Sequence, residues 1–287
     1  MSKITAPEIR ARKGKAKIRM VTAYDYPTAK IASRAGADII LVGDSVANVV
    51  LGHPDTLSVD MAVMVHHTAA VTRAEPDALV VGDMPWMSFH VSSEDTVRNA
   101  ARFVREGGAA AVKVEGGRKR LDVIAAVLDA EIPVMGHLGL TPQSVNAMGG
   151  YRVQGKKVQA AYEMISDAQA LANVGVFAIV LEGVPDRVAQ LVTAEVDVPT
   201  IGIGAGAGCD GQVLVMHDVL GLGGGEHLPK FVRPYADLAG DAVDALERFF
   251  ADVESGAFPS DEETYHMTEE SFAILRDLVE SETSVDR

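Results

Sequence analysis

Val112-Lys113-Val114-Glu115-Gly116-Gly117 decides the fold. Two valines alternate with two charged residues, and two glycines follow. Successive side chains of a strand point to opposite faces, so Lys113 and Glu115 share one face and the valines share the other. Four more short apolar runs end in a chemical group. They are Leu41-Val42-Gly43-Asp44, Val80-Val81-Gly82-Asp83, Val134-Met135-Gly136-His137 and Val180-Leu181-Glu182. Each reads as a buried strand with that group at its C-terminal end. Parallel α/β barrels build their active sites at that end, so these runs predict carboxylates, a lysine and a histidine around one mouth.

The flanking sequence agrees. Apolar runs at 19–24, 39–43, 79–82, 110–114, 134–136, 178–181, 200–203 and 213–216 alternate with amphipathic windows. Eight such units predict a closed (β/α)8 TIM-type barrel with a C-terminal helical extension. Pro27 suits the first turn of a helix running to Gly36. Ser92 and Asp95 suggest a capping box, and Ser58 is the expected cap of a helix over 59–73. His66 and His67 in that helix point about 100° apart, which is poor chelating geometry. A long Gly-rich loop follows His137, as binding loops do. A Gly-rich turn at 223–225 leads to a helix over 238–255, and a short helix is expected at 269–280. The expected organisation is one barrel domain over 1–260 and an acidic appendage over 261–287.

Of 287 residues, an α/β barrel uses about 250. The single cysteine, Cys209, excludes an intrachain disulfide and a cysteine zinc site. No apolar stretch reaches the roughly 18 residues of a membrane span, and the N-terminus lacks the apolar centre of a secretory signal. A cytoplasmic protein with no membrane partner is expected. The net charge of −14 argues against nucleic acid. Residues 231–287 carry 15 acids and 4 bases, so most of that charge sits in the tail.

Asp44, Asp83 and Glu115 are the sharpest set. Converging carboxylates repel unless a cation lies between them, and oxygen ligands without thiolate favour Mg²⁺. The bland alternative is that each acid caps the next helix. Lys113 on the inward face is costly unless paired with Glu115 or used to hold a substrate carboxylate. His137 ends the next strand at the same level. Glu182, one strand further, is placed for acid or base work. Gly202, Gly204 and Ala207 match a dinucleotide fingerprint, but a strand rather than a helix follows, so the context fails.

Several longer motifs carry a resemblance. Thr22-Ala23-Tyr24-Asp25-Tyr26, Leu41-Val42-Gly43-Asp44-Ser45, Val112 to Gly117, Gly136-His137-Leu138-Gly139-Leu140-Thr141-Pro142-Gln143-Ser144, Gly149-Gly150-Tyr151 and Asp210-Gly211-Gln212-Val213-Leu214-Val215-Met216-His217-Asp218 resemble the ketopantoate hydroxymethyltransferase family over residues 18–260. The resemblance implies a barrel of the phosphoenolpyruvate/pyruvate-binding kind, bound Mg²⁺ and a large homo-oligomer, a decamer or octamer. It implies transfer of a hydroxymethyl group from 5,10-methylenetetrahydrofolate to the small 2-oxo acid 3-methyl-2-oxobutanoate, through an enolate. Asp44, Asp83 and Glu115 would surround the metal. Asp44, Ser45, Asp83 and Lys113 would contact the keto acid, with His137 lining the same pocket, and Glu182 would be the catalytic acid or base. The chain departs from the family at Gly183, at the loop 223–227 and in the tail beyond Tyr265. The rival enzyme reading is a Mg²⁺-dependent lyase or mutase acting on 2-oxo acids, and a non-catalytic scaffold would predict gaps in the acid set.

Overall fold

The strands bury both faces, which is what a closed parallel sheet wrapped in helices requires. A computed structural model describes residues 3–223 and 228–283. In it β1 (Ile18–Thr22), β2 (Ile39–Val42), β3 (Leu79–Asp83), β4 (Ala111–Glu115), β5 (Val134–Gly139), β6 (Ala178–Glu182), β7 (Thr200–Ile203) and β8 (Gly211–Leu214) pair in chain order, and β8 returns to β1. Helices Tyr26–Arg34, Met61–Thr72, Ser93–Arg105, Leu121–Asp129, Val158–Val174 and Asp186–Glu195 follow strands β1 to β6. A turn alone joins β7 to β8, and this turn is the glycine-rich run that mimics a dinucleotide fingerprint.

Parity along each strand sorts the core. Ile39, Leu41, Leu79, Val81, Ala111, Met135, Ala178 and Val180 form the inner cluster. Ile40, Val42, Val80, Val112, Val114, Val134, Ile179 and Leu181 pack outward under the helices. The inner rows continue upward as Asp83 above Val81, Lys113 and Glu115 above Ala111, His137 above Met135, and Glu182 above Val180. The lower end is closed by the helix Ala6–Arg10. Its Ala6 and Ile9 join the inner cluster, and its start is fixed by a capping box of Thr5 and Glu8.

Three local expectations are corrected. The helix after β2 begins at Met61 with Asp60 as its cap, whose carboxylate accepts from the Val63 amide at 3.0 Å. Val59 is buried before the helix starts, and a charged acceptor suits the positive helix end better than Ser58. The first strand stops at Thr22, and the last spans Gly211–Leu214 instead of 213–216. There the Met216 amide donates to Thr22 Oγ1 at 3.0 Å, which draws the chain out of the ladder into the helix Met216–Leu220. Ser92 caps Ser93–Arg105 by accepting from the Asp95 amide. The helix over Tyr26–Arg34 has proline in its first turn, as expected. His67 accepts or donates a 2.7 Å hydrogen bond with the Tyr24 carbonyl through Nδ1, and the carbonyl fixes it as a donation.

Residues 237–283 form a second unit, described by itself. It holds the helix Leu238–Ser255, capped by Asp237, the short 3-10 turn Asp261–Glu263 and the helix Glu269–Thr283. Acids occupy the first turn of both long helices, where the helix dipole favours them. Of the glycine-rich turn at 223–225, residues 224 and 225 lie outside the described residues, with 226 and 227. Among the described residues no helix is long and apolar enough to cross a membrane.

Candidate active site

Strand register sets the side chains. Asp83 pairs in register with Lys113, and Glu115 with His137, so four polar groups from three adjacent strands stand shoulder to shoulder. Gly139 aligns with Glu182. A Cβ at Gly139 would lie 2.2 Å from the Glu182 carbonyl oxygen, and its φ of +94° is glycine territory, so β5 and β6 can close only with glycine there. Asp44 lies one step off the inward parity of β2, in the turn after it. The Asp83 carboxylate accepts its amide at 3.1 Å, which holds that turn over the barrel.

All five groups of the acid cluster are at least 95% shielded: Asp44, Asp83, Lys113, Glu115 and His137. Lys113 Nζ lies 2.8 Å from Asp83 Oδ1 and 3.8 Å from Glu115 Oε1, so its closer partner is Asp83 and not the Glu115 that the sequence offered. His137 stands between two carboxylates, with Nδ1 3.3 Å from Glu115 and Nε2 3.3 Å from Glu182. Ser45 is half-buried, and its Oγ is 2.8 Å from the buried Tyr24 hydroxyl. Asp44 caps no helix, since the helix Val46–Val49 has no side-chain cap. The bland reading of that acid therefore does not hold.

Burial raises the pKa of Asp44 well above the usual carboxylate range, and the charges of Asp83 and Glu115 raise it further. Burial raises Asp83 as well, although Lys113 opposes it. Glu115 is held low: burial works against this, but the hydrogen bond and charge of His137 prevail. Burial would lower His137 and Lys113 opposes its charge, yet the bonds to Glu115 and Glu182 lift it to about 9. The cluster therefore carries alternating charge, with a surplus of acid at the Asp44 end.

Gln143 is the residue that sequence reasoning quoted within a motif but did not assign. It sits in the loop after β5, yet it reaches both ends of the acid set. Its Nε2 donates to Asp44 Oδ2 at 3.0 Å and to the Met84 carbonyl at 2.9 Å, while its amide donates to Glu115 Oε2 at 3.1 Å. Only its burial could have flagged it, and spacing along the chain does not carry burial.

Gln143 Oε1 is buried with no hydrogen bond, and the buried Asp83 Oδ1 and Glu115 Oε1 are met only by ion-pair contacts, from Lys113 Nζ at 2.8 Å and His137 Nδ1 at 3.3 Å. Three buried carboxylates crowded around one lysine and one histidine are costly, and a hard cation relieves that cost. Among the described residues, no three His, Cys, Asp or Glu side chains already converge on one ion position. The acids thus surround a shared volume without forming a finished cage. That suits Mg²⁺, which takes one or two carboxylates and leaves positions for water and substrate.

A cavity of about 1110 Å³ opens above the cluster. It takes in Asp44, Ser45, Asp83, Lys113, Glu115, His137 and Glu182, so every predicted site residue borders one space. The loop after β5 leans over it through Tyr151 and Arg152, pinned where the Gln154 amide donates to the Gly183 carbonyl at 2.9 Å. Gly183 has φ +55°, so a bulkier residue at this departure from the family would be strained.

Residues 3–261 match the family Ketopantoate hydroxymethyltransferase. A 3-methyl-2-oxobutanoate hydroxymethyltransferase of Syntrophomonas wolfei is 52% identical over 94% of this chain and 98% of its own length. One from Syntrophobacter fumaroxidans is 54% identical over 93% and 95%. Among solved structures, a phosphonopyruvate hydrolase in complex with oxalate and Mg²⁺ aligns with TM-score 0.57 at 15% identity, over 100% of this chain and 99% of that one. A 2,3-dimethylmalate lyase of the PEP mutase/isocitrate lyase superfamily aligns with TM-score 0.56 at 18% identity, over 100% and 98%. At such identity these two likenesses speak to the barrel fold alone.

Proposed function

Because the chain belongs to the ketopantoate hydroxymethyltransferase family, we propose that it transfers a hydroxymethyl group from 5,10-methylenetetrahydrofolate to 3-methyl-2-oxobutanoate by way of the enolate, giving ketopantoate. The observation that carries this reading is the buried set of Asp44, Asp83, Lys113, Glu115 and His137 in one cavity with Glu182.

Asp44, Asp83 and Glu115 would hold Mg²⁺, as the crowding of three buried carboxylates at one mouth supports. When bound, the ion would withdraw electron density from the keto acid and so favour loss of the C3 proton. Lys113 and Ser45 are placed to hold the substrate carboxylate, with Asp44 and Asp83 beside it. Burial lowers the pKa of Lys113, but the surrounding carboxylates outweigh it and keep the lysine charged. Gln143 keeps Asp44 and Glu115 from swinging apart. His137 fixes the ring of contacts between Glu115 and Glu182 and lines the pocket wall.

Glu182 is the group left free to move a proton, being the least buried acid of the set at 16% exposure. Carbon 3 gives up its proton and forms a carbon–carbon bond to the methylene carbon of the donor. One of the methylene carbon's two carbon–nitrogen bonds breaks as that bond forms. Water then displaces the second nitrogen and leaves its hydroxyl on the carbon, while the C3 proton and a proton of water end on the two nitrogens of the departing tetrahydrofolate.

The test is exchange of the C3 proton of 3-methyl-2-oxobutanoate into deuterated water, followed by NMR with and without Mg²⁺, beside a folate-dependent product assay. Exchange that needs Mg²⁺ and product that needs the folate are expected. Full turnover in metal-free enzyme would sink the metal reading, and product without folate would favour the lyase or mutase alternative.

A further inference from the structure

The cavity is far larger than its keto acid. Pockets of roughly 300–1,000 Å³ hold drug-sized ligands, and a five-carbon acid fills only a small part of such a space. The surplus volume runs from Glu182 past the ends of β7 and β8, away from the acid cluster, and reaches Asp218. Asp218 belongs to the Asp210 to Asp218 motif, which the chemistry above leaves unused. It follows β8, which stands opposite β4 in the closed ring, so it faces the Lys113–Glu115 strand across the mouth.

Asp218 is half-buried, and among the described residues its carboxylate has no hydrogen bond or ion pair. Beside it, His217 Nδ1 is a buried atom without a partner, and the His217 ring packs on Tyr24 at 5.5 Å. A partly dehydrated carboxylate without donors is a costly arrangement unless a ligand supplies them. Burial raises its pKa accordingly. The other carboxylate in this part of the cavity, Asp186, is exposed and stays hydrated. At the outer rim the charge is reversed, since exposed Arg152 and Lys230 border the same space.

We propose that this half of the cavity is the donor subsite, with Asp218 accepting the paired N–H donors of the 2-amino-4-oxo pterin edge and Arg152 with Lys230 facing the carboxylates of the glutamate tail. The assignment rests on the folate reading above and adds its residues and its direction. Two parallel N–H donors match a carboxylate in bidentate fashion, and hydrogen bonds to an ionised acceptor are roughly twice as strong as neutral ones. The polarity of the space, acid inside and cations at the rim, matches a ligand with donors at one end and anions at the other.

The experiment is isothermal titration of anaerobic tetrahydrofolate into the full-length protein with Mg²⁺ present, compared between wild type, Asp218→Asn and Asp186→Asn. Asp218→Asn is expected to weaken tetrahydrofolate at least about 20-fold while the affinity for 3-methyl-2-oxobutanoate stays within about twofold. A 2-desamino tetrahydrofolate analogue should lose a similar factor on the wild type and little more on Asp218→Asn, which tests the pairing even if the variant folds poorly. Exchanging Arg152 and Lys230 for alanine should abolish any preference for the triglutamate form. Equal tetrahydrofolate binding by wild type and Asp218→Asn overturns the assignment, as does a larger loss in Asp186→Asn. A wild type that binds no tetrahydrofolate overturns the folate reading itself.

Discussion

Two sets of buried acids lie at opposite ends of one barrel and behave in opposite ways. At the lower end, Asp38 receives the Arg19 amide, the Arg19 guanidinium and Arg12, all within 3.1 Å. Burial alone would raise its pKa, but these partners pull it down to about 2. Asp210, also at that end, accepts from Lys13 and from the Gly14 and Thr200 amides, and its pKa is lowered despite burial. At the upper end burial and neighbouring carboxylates raise Asp44 and burial raises Asp83, and the buried Gln143 Oε1 beside them has no hydrogen bond. The lower acids are complete without any ligand, whereas the upper ones are incomplete until something binds. This is the division of a barrel into a stability face and a working face, seen as hydrogen-bond accounting.

The comparison can be broken most sharply at the upper end. Removing Mg²⁺ with EDTA should lower turnover at least about 10³-fold, since several kcal/mol of charge stabilisation would go with it. Glu182→Gln should cut kcat by about 10²–10⁴-fold with keto acid affinity retained, as measured by steady-state kinetics and titration. An unchanged kcat would remove Glu182 from the mechanism. Gln143→Leu should weaken the metal by about 10–100-fold, read by Mn²⁺ paramagnetic resonance on unliganded protein, because it frees Asp44 and Glu115.

At the lower end the same kind of change should cost stability instead. Asp38→Asn should lower unfolding free energy by about 2 kcal/mol at neutral pH. Its folded pKa lies below its unfolded value, so this stability is present above pH 4 and is lost as pH falls toward 2. The variant's urea midpoint should therefore fall less than the wild type's over that window. The smallest effect carries the opposite sign. Asp44→Asn removes one of three crowded charges, so metal-free protein should melt about 2–6 °C higher while activity is lost. A lower melting temperature would mean that Asp44 is paired in a way the barrel mouth does not reveal.

Much of this site was legible because a strand has period two. Asp83, Lys113, Glu115, His137 and Glu182 share parity with apolar neighbours that must face inward, and their rank at the strand end follows from register. Asp44 was legible by position but not by parity, since the turn after β2 and the Asp83 contact carry it inward. Gln143 was not legible as a contact, because its bond to Asp44 spans 99 residues and depends on how a loop folds back. The Ser58 cap misled because several residues there can accept a backbone amide, and the burial of Val59 chooses among them. The end of β8 misled because Val215 and Met216 are apolar in either setting, and a single hydroxyl, Thr22 Oγ1, ends the strand.

The helix Ala6–Arg10 has a consequence for traffic. With Ile9 and Ala6 packed into the inner cluster, the barrel is a well with a floor. A molecule bound on the Lys113 and Glu115 side sits at the bottom, and anything lodged near Asp218 and Lys230 stands above it, nearer the rim. Such a well loads deep before shallow and empties in reverse, so the keto acid should enter first and its hydroxymethylated product should leave last. Product-inhibition patterns record that queue directly, with the keto acid and ketopantoate competing for the same empty enzyme.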